Sequence, residues 1–220
     1  MHLRPKPWAR PELEASPIFI PEPWEKRGSW NTQYLRPKQP LYLELGCGKG
    51  GFISQMAAEH PKNNYLAVDM IDTVLGLARR KIVAAAGCEA PDNIRITAWD
   101  IARLEAILGG GDRVQGIYIN FCNPWPRHRQ HKKRLTHPRQ LAQYRCILVS
   151  GGTIRFKTDD DQLFNDSLTY FESSGFRLTT VIRDLAATPL KDDVSTEHEA
   201  MFSKQGIPIK CVEAKMVSMT

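Results

Sequence analysis

One stretch constrains this chain more than any other. Leu41-Tyr42-Leu43-Glu44-Leu45 is followed at once by Gly46-Cys47-Gly48-Lys49-Gly50-Gly51, and then by a helix-forming segment to about His60. A short apolar strand that breaks into a glycine-rich turn and reverses into a helix is the opening unit of an α/β sheet. The pattern recurs. Tyr65-Leu66-Ala67-Val68 predicts a second strand ended by Asp69, and apolar residues at 71, 74, 75, 78 and 82 have helical spacing. Ile94–Trp99 predicts a third strand ended by Asp100, and Val114–Phe121 a fourth. A helix near 138–149, the turn Gly151-Gly152, the strand Thr153–Lys157, a helix near 161–174 and strands near 177–184 and 209–216 complete the series. Strands alternating with helices predict an open, mostly parallel sheet with helices on both faces, an α/β fold of Rossmann type.

In such sheets ligands sit outside the carboxyl ends of the strands. Glu44, Asp69, Asp100 and Asn123 all fall at or near those ends. Each one alone reads as a helix N-cap; four along one edge read as a lined site. Gly46-x-Gly48-x-x-Gly51 matches the dinucleotide fingerprint, but that motif works by placing a pyrophosphate against the glycine turn. Glu44, two residues before the first glycine, would set a carboxylate beside that polyanion. S-adenosylmethionine suits the site better, since it carries a cationic amine and a sulfonium and no phosphate. Asp69 would then accept from the ribose hydroxyls and Asp100 from the adenine amine, with Gly46 and Gly48 admitting the cofactor close to the backbone.

Charge is concentrated elsewhere. Residues 127–139 hold six Arg/Lys, three of the six histidines and no acid, and their +6 equals the net charge of the whole 220-residue chain. A basic patch on an otherwise neutral body is the footprint of a polyanion site, although a solvated basic loop reads the same way. Five cysteines, odd in number and without a Cys-x-x-Cys pair, argue against a disulfide framework or a zinc knuckle and for a reducing cytoplasm. The histidine spacing predicts no metal site. The N-terminus lacks the apolar stretch of a secretory signal, and no apolar run approaches the ~20 residues that span a bilayer.

Residues 1–40 carry eight of the fifteen prolines and three of the five tryptophans, Trp8, Trp24 and Trp30. Proline at that density disfavours regular elements, yet a disordered tail rarely holds so many aromatics. The expectation is an irregular arm over residues 1–40, packed on a catalytic domain over 41–220 or on a ligand.

The motifs at this point resemble a family along nearly the whole chain. Leu43–Phe52, Ile119-Asn120-Phe121-Cys122-Asn123-Pro124-Trp125-Pro126, Lys132-Lys133-Arg134-Leu135 and Phe156-Lys157-Thr158-Asp159 look like the bacterial tRNA (guanine-N7-)-methyltransferases. So do Lys6-Pro7-Trp8-Ala9 and Thr196-Glu197-His198-Glu199. The tryptophan motif with its basic run is the most specific of these. The resemblance implies a seven-stranded, S-adenosylmethionine-dependent methyltransferase of the cytoplasm, monomeric or homodimeric, acting on guanosine 46 (tRNA numbering) of the variable loop. It assigns Glu44, Asp69, Asp100 and Asn123 to the cofactor, and Arg127, Asp159 and the Thr196–Glu199 segment to the substrate. The family usually has aspartate where this chain has Asn123, lysine where it has Arg127, and tyrosine where it has His198.

Guanine N7 exposes an in-plane lone pair, so its methylation needs alignment more than proton removal. Asn123, whose amide oxygen still accepts a hydrogen bond, is therefore tolerable as the catalytic-site residue; the other reading of Asn123-Pro124 is a simple turn. Asp159 and Glu199 are the candidates for accepting the guanine N1–H and N2–H₂. The alternatives are an N-cap for Asp159 and a solvated loop residue for Glu199. Arg127, Arg129, Lys132, Lys133 and Arg134, with the three histidines, are expected on the tRNA phosphates. Trp125 stacks on an extruded base or packs as scaffold. Rival functions are an exocyclic-amine methyltransferase and a non-catalytic RNA-binding protein with a methyltransferase shell.

Overall fold

The computed structural model describes residues 6–190 and 193–217. The chain forms two compact units, Met1–Asp112 and Arg113–Thr220.

In the first unit, α1 (Ala9–Glu14) precedes β1 (Leu41–Leu45), α2 (Gly51–Glu59), β2 (Asn64–Asp69), α3 (Asp72–Ala86) and β3 (Ile94–Ala98). The three strands are parallel, β2 lying between β1 and β3. They are buried on both faces, as parallel strands covered by helices must be: Leu41, Leu43, Leu45, Leu66, Val68, Ile94 and Ile96 are almost fully inaccessible. The spacing expected for the second helix holds, with Val74, Leu75, Ala78 and Ile82 buried on one face of α3 and Gly87 closing its end at φ 66°.

The proline-rich arm, of which residues 1–5 lie outside the described residues, is an integral part of this unit. Proline does not prevent α1, because the short run between Trp8 and Ala15 has Pro11 in its first turn, where no N–H is needed. Ile18 and Ile20 flank Ile96 with backbone bonds of 2.9 Å, a bridge on the edge of β3. Trp30 is fully buried, its Nε1–H donating to the Ile107 carbonyl at 2.7 Å. The buried Asp112 carboxylate accepts three backbone N–H groups, from Gly28 (2.9 Å), Trp30 (2.9 Å) and Gly109 (2.7 Å). The arm is held here because the Asp112 charge is satisfied only while residues 28–30 stay in place.

The second unit contains β4 (Val114–Asn120), α4 (Pro138–Ile147), β5 (Leu148–Thr158), α5 (Asp161–Ser173), β6 (Phe176–Ile182), α6 (Glu197–Ser203) and β7 (Lys210–Met216). β4 and β5 are parallel, β7 runs antiparallel to β5, and β6 runs antiparallel to β7. The seven strands match the expected count, and only β7 runs against its neighbours. Two boundaries differ from expectation. Gly151 and Gly152 lie inside β5, where the register against β4 shifts, so they make an irregularity within the strand and not a turn before it. The segment around Glu199 is the start of a helix and not a solvated loop.

Candidate active site

The first unit carries the glycine turn. Gly46 and Gly48 have φ of 80° and 55°, and a Cβ placed on either would meet no atom within 4 Å. Open space in front of two left-handed glycines is the cradle that a cofactor lying on the backbone requires. The turn is anchored on β2: Gly46 N–H and Cys47 N–H both donate to the Val68 carbonyl, at 2.8 and 3.1 Å. Glu44 is 2% exposed at the end of β1. Burial, then Glu44 and Asp69, push the Cys47 thiol well above its ordinary range, so it is a neutral packing group and not a nucleophile.

Asp69 does more than wait for a ribose. Its Oδ2 accepts the Gly48 N–H at 3.0 Å, and its Oδ1 accepts Met70 N–H at 2.7 Å and Ile71 N–H at 3.1 Å. Burial raises its pKa against the lowering effect of those three bonds. Asp100 is exposed and caps the 3₁₀ turn Ile101–Ala106 through Ala102 N–H at 2.9 Å, the single-residue alternative foreseen for it. Beside it Trp99 packs against Trp24 of the arm, ring centroids 5.9 Å apart, with Trp24 half exposed.

The second unit carries the polar loop after β4. Phe121 and Trp125 both adopt positive φ, 52° and 46°, a conformation bulky residues rarely hold without a functional demand. Between them the Asn123 Oδ1 accepts Trp125 N–H at 3.0 Å, so the turn-forming reading of Asn123 describes its carbonyl.

The basic run that follows coils as a 3₁₀ turn over His128–Lys133. Arg127, Arg129, Lys132, Lys133 and Arg139 are exposed, a five-cation face with no acid among them. Lys133 lies over the Trp125 ring, 4.7 Å from its centroid, which supports the scaffold reading of that tryptophan. Arg134 corrects the expectation. Its side chain is fully buried, donating to Asp166 Oδ2 (2.6 Å), the Pro124 carbonyl (2.7 Å) and His131 Nε2 (3.0 Å). It ties the loop to α5 and cannot reach a phosphate. His137 caps α4, its Nδ1 accepting Arg139 N–H at 3.2 Å, and burial, followed by Arg139, Arg134 and His131, lowers its pKa.

Asp159, Thr196 and Glu199 lie around the end of β5 and the start of α6. The N-cap of α5 is Asp160, whose Oδ1 accepts Leu163 N–H at 2.6 Å, and not Asp159. The Asp159 carboxylate takes none of the hydrogen bonds found among the described residues; its carbonyl accepts Lys210 Nζ at 2.8 Å. Thr196 and Glu199 form a capping box: Thr196 Oγ1 accepts Glu199 N–H at 3.1 Å, and Glu199 Oε2 accepts Thr196 N–H at 2.6 Å. Glu199 is 5% exposed, and its other oxygen meets Lys157 Nζ at 2.7 Å. That second oxygen pairs in charge with Lys157 but takes no hydrogen bond among the described residues. Lys157, fully buried, was missed from the sequence, where an apolar strand with one lysine gives no sign of a counter-charge 36 residues away at Asp193.

Solved structures with the same fold include the 16S rRNA methyltransferase KamB, with a TM-score of 0.60 at 13% identity over 86% of this chain and 91% of that one. The antibiotic-resistance methyltransferase Kmr follows at 0.55 and 16% identity, over 82% and 88%. The fold is the one these methyltransferases share, and residues 38–212 match a family model described as "Putative methyltransferase". More specifically, the tRNA (guanine-N(7)-)-methyltransferase of Clostridium perfringens (strain SM101 / Type A) is 51% identical over 98% of this chain and 99% of its own length. That of Acetivibrio thermocellus is 47% identical over the same shares. The chain belongs to the tRNA (guanine-N(7)-)-methyltransferase family.

Proposed function

We propose that this protein transfers a methyl group from S-adenosylmethionine to N7 of guanosine 46 in the variable loop of tRNA, in the cytoplasm. The observation that carries the reading is the segment after Asn123-Pro124-Trp125-Pro126: five exposed cations and no acid, in a chain otherwise balanced in charge and close to half identical to enzymes of that name over almost its full length. Such a face supplies sequence-independent, salt-sensitive affinity for a phosphate backbone.

The bound cofactor supplies an electrophilic methyl on a sulfonium. Glu44 and Asp69 favour a cationic ligand, and Asp69 also holds the turn that shapes the cradle. Since N7 already presents a lone pair, no residue has to remove a proton, and orientation provides most of the acceleration. The methylated base is cationic, so the open carboxylate of Asp159 both accepts from the guanine Watson–Crick edge and steadies the developing charge. Asn123 suits this chemistry: its amide oxygen accepts Trp125 N–H to shape the turn, and its second lone pair stays an acceptor without any proton having to be removed. Arg127, Arg129, Lys132 and Lys133 are assigned to phosphates.

The test is nucleoside analysis of tRNA lacking the modification after incubation with protein and S-adenosylmethionine. The expected product is 7-methylguanosine, absent when guanosine 46 is replaced by adenosine. N6-methyladenosine in its place would overturn the reading.

A further inference from the structure

The arm delivers a tryptophan to the ligand edge of the first unit. Phe19 bridges Ile96 in parallel, and Thr97 Oγ1 donates to the Ile20 carbonyl at 2.8 Å, so the arm runs alongside β3 in the same direction. The residues after Ile20 therefore head for the carboxyl end of β3, where Pro23–Lys26 coil as a 3₁₀ turn. Trp24 in that turn packs on Trp99, the residue directly after β3, with ring centroids 5.9 Å apart and planes at 46°. Beyond it, Arg27 Nε–H donates to the Glu105 carbonyl at 2.8 Å and closes the stretch. Trp24 is thus fixed from both sides, yet it is the exposed one of the five tryptophans.

Its surroundings suit a flat, uncharged ligand with an amine on its edge. Trp99 N–H donates to the Asp69 carbonyl at 2.9 Å, which ties the end of β3 to the end of β2. Met70 and Ile71, directly after Asp69, are both exposed, and so is Asp100, directly after Trp99. Uncovered apolar side chains at neighbouring strand ends, with a carboxylate among them, have the make-up of a small-molecule site. A phosphate backbone does not suit this corner. Residues 22–27 carry Glu22 and Glu25 against Lys26 and Arg27, a balanced set with none of the excess positive charge that RNA requires.

We propose that Trp24 is a cofactor-binding residue: the arm supplies an aromatic wall for the adenine ring of S-adenosylmethionine, beside the Asp100 carboxylate that accepts the adenine amine. This rests on the proposed function, in which the cofactor lies along this edge with its ribose at Asp69. It gives the arm a part in ligand binding in addition to its packing through Trp30.

The experiment titrates the full chain, as wild type, Trp24→Phe and Trp24→Ala, with S-adenosylhomocysteine and with methylthioadenosine, which keeps the adenosine and lacks the amino-acid end. Calorimetry gives the affinities, and thermal unfolding is followed alongside. Trp24→Ala is expected to weaken both ligands about tenfold and by the same factor, the scale of one lost base–aromatic stack. Trp24→Phe keeps a ring and is expected to stay within about threefold of wild type. Acrylamide quenching of tryptophan emission supplies a readout that packing alone would not move. Saturating S-adenosylhomocysteine is expected to protect the wild-type emission, and that protection is expected to disappear in Trp24→Phe. Should Trp24→Ala unfold early, Trp24→Leu takes its place, keeping apolar bulk without the ring face. A loss within about threefold for the non-aromatic variant would overturn the proposal and leave Trp24 as packing for the arm. So would wild-type emission that stays equally open to acrylamide when the ligand is bound. A non-aromatic variant that binds both ligands normally and tRNA more weakly would also overturn it, placing an RNA base on Trp24. If the wild-type protein binds neither ligand, the cofactor reading itself fails, and that shows before any variant is made.

Discussion

The Asp69 carboxylate and the Gly48 backbone are joined by a 3.0 Å hydrogen bond, so the acid expected to grip the ribose also holds the glycine turn in shape. Because burial raises the Asp69 pKa, two quantities move oppositely with pH. Cofactor binding uses the ionised acceptor: affinity is full above the raised pKa and falls as pH drops through it, starting at a higher pH than an ordinary aspartate at about 4 would give. Folding runs the other way. The native state binds this proton more readily than the unfolded chain, so the unfavourable share of Asp69 in stability is relieved as pH falls through the same range. Calorimetric titration with S-adenosylmethionine between neutral and mildly acidic pH checks the first, with Asp69→Asn expected to bind more weakly and with a flatter profile.

Asp112→Ala is expected to cost about 3 kcal/mol of stability, since it strands the three backbone N–H groups of Gly28, Trp30 and Gly109. Urea unfolding measures it, and because Trp30 is anchored at the same point its emission should shift to the red before the global transition. A loss within about 0.5 kcal/mol, the ordinary scale of a surface substitution, would mean that the arm is held by packing alone.

The strands, the glycine turn and the acids at strand ends were legible because they depend on local pattern: apolar runs of strand length, glycines where φ must be positive, and short polar residues where a strand stops. Asp112 was not legible, because nothing near Gly111-Asp112-Arg113 indicates that two of its three backbone partners, Gly28 and Trp30, lie far back in the arm. The same holds for Arg134 and Lys157. In the sequence Arg134 is one more cation in a basic run, and only the fold shows that Asp166 draws it inside while its neighbours Lys132 and Lys133 stay in solvent. The Thr196–Glu199 pair is a different case. Its spacing is that of a capping box, a signal visible in the residues themselves.

Asn123→Asp is expected to leave turnover at least comparable. Aspartate keeps the oxygen that accepts Trp125 N–H and so preserves the turn. It also adds a negative charge at this position, which favours a cationic methyl donor. Steady-state kinetics with tRNA decide it; complete loss would show that the amide NH₂ itself makes a contact the reaction needs.

Arg134 and its neighbours Lys132 and Lys133 should separate cleanly by experiment. Arg134→Ala leaves Asp166 without its partner and the Pro124 carbonyl without a donor, so it should destabilise the protein by about 2–3 kcal/mol, less than a fully buried pair because Asp166 is 35% exposed. Lys132→Ala with Lys133→Ala should leave stability nearly unchanged and weaken tRNA binding. The plot of log affinity against log salt should become shallower by about one unit per lost phosphate contact. Filter binding across a salt series, alongside thermal unfolding, tests both. A salt slope altered by Arg134→Ala in protein that remains folded would return that arginine to the phosphate surface.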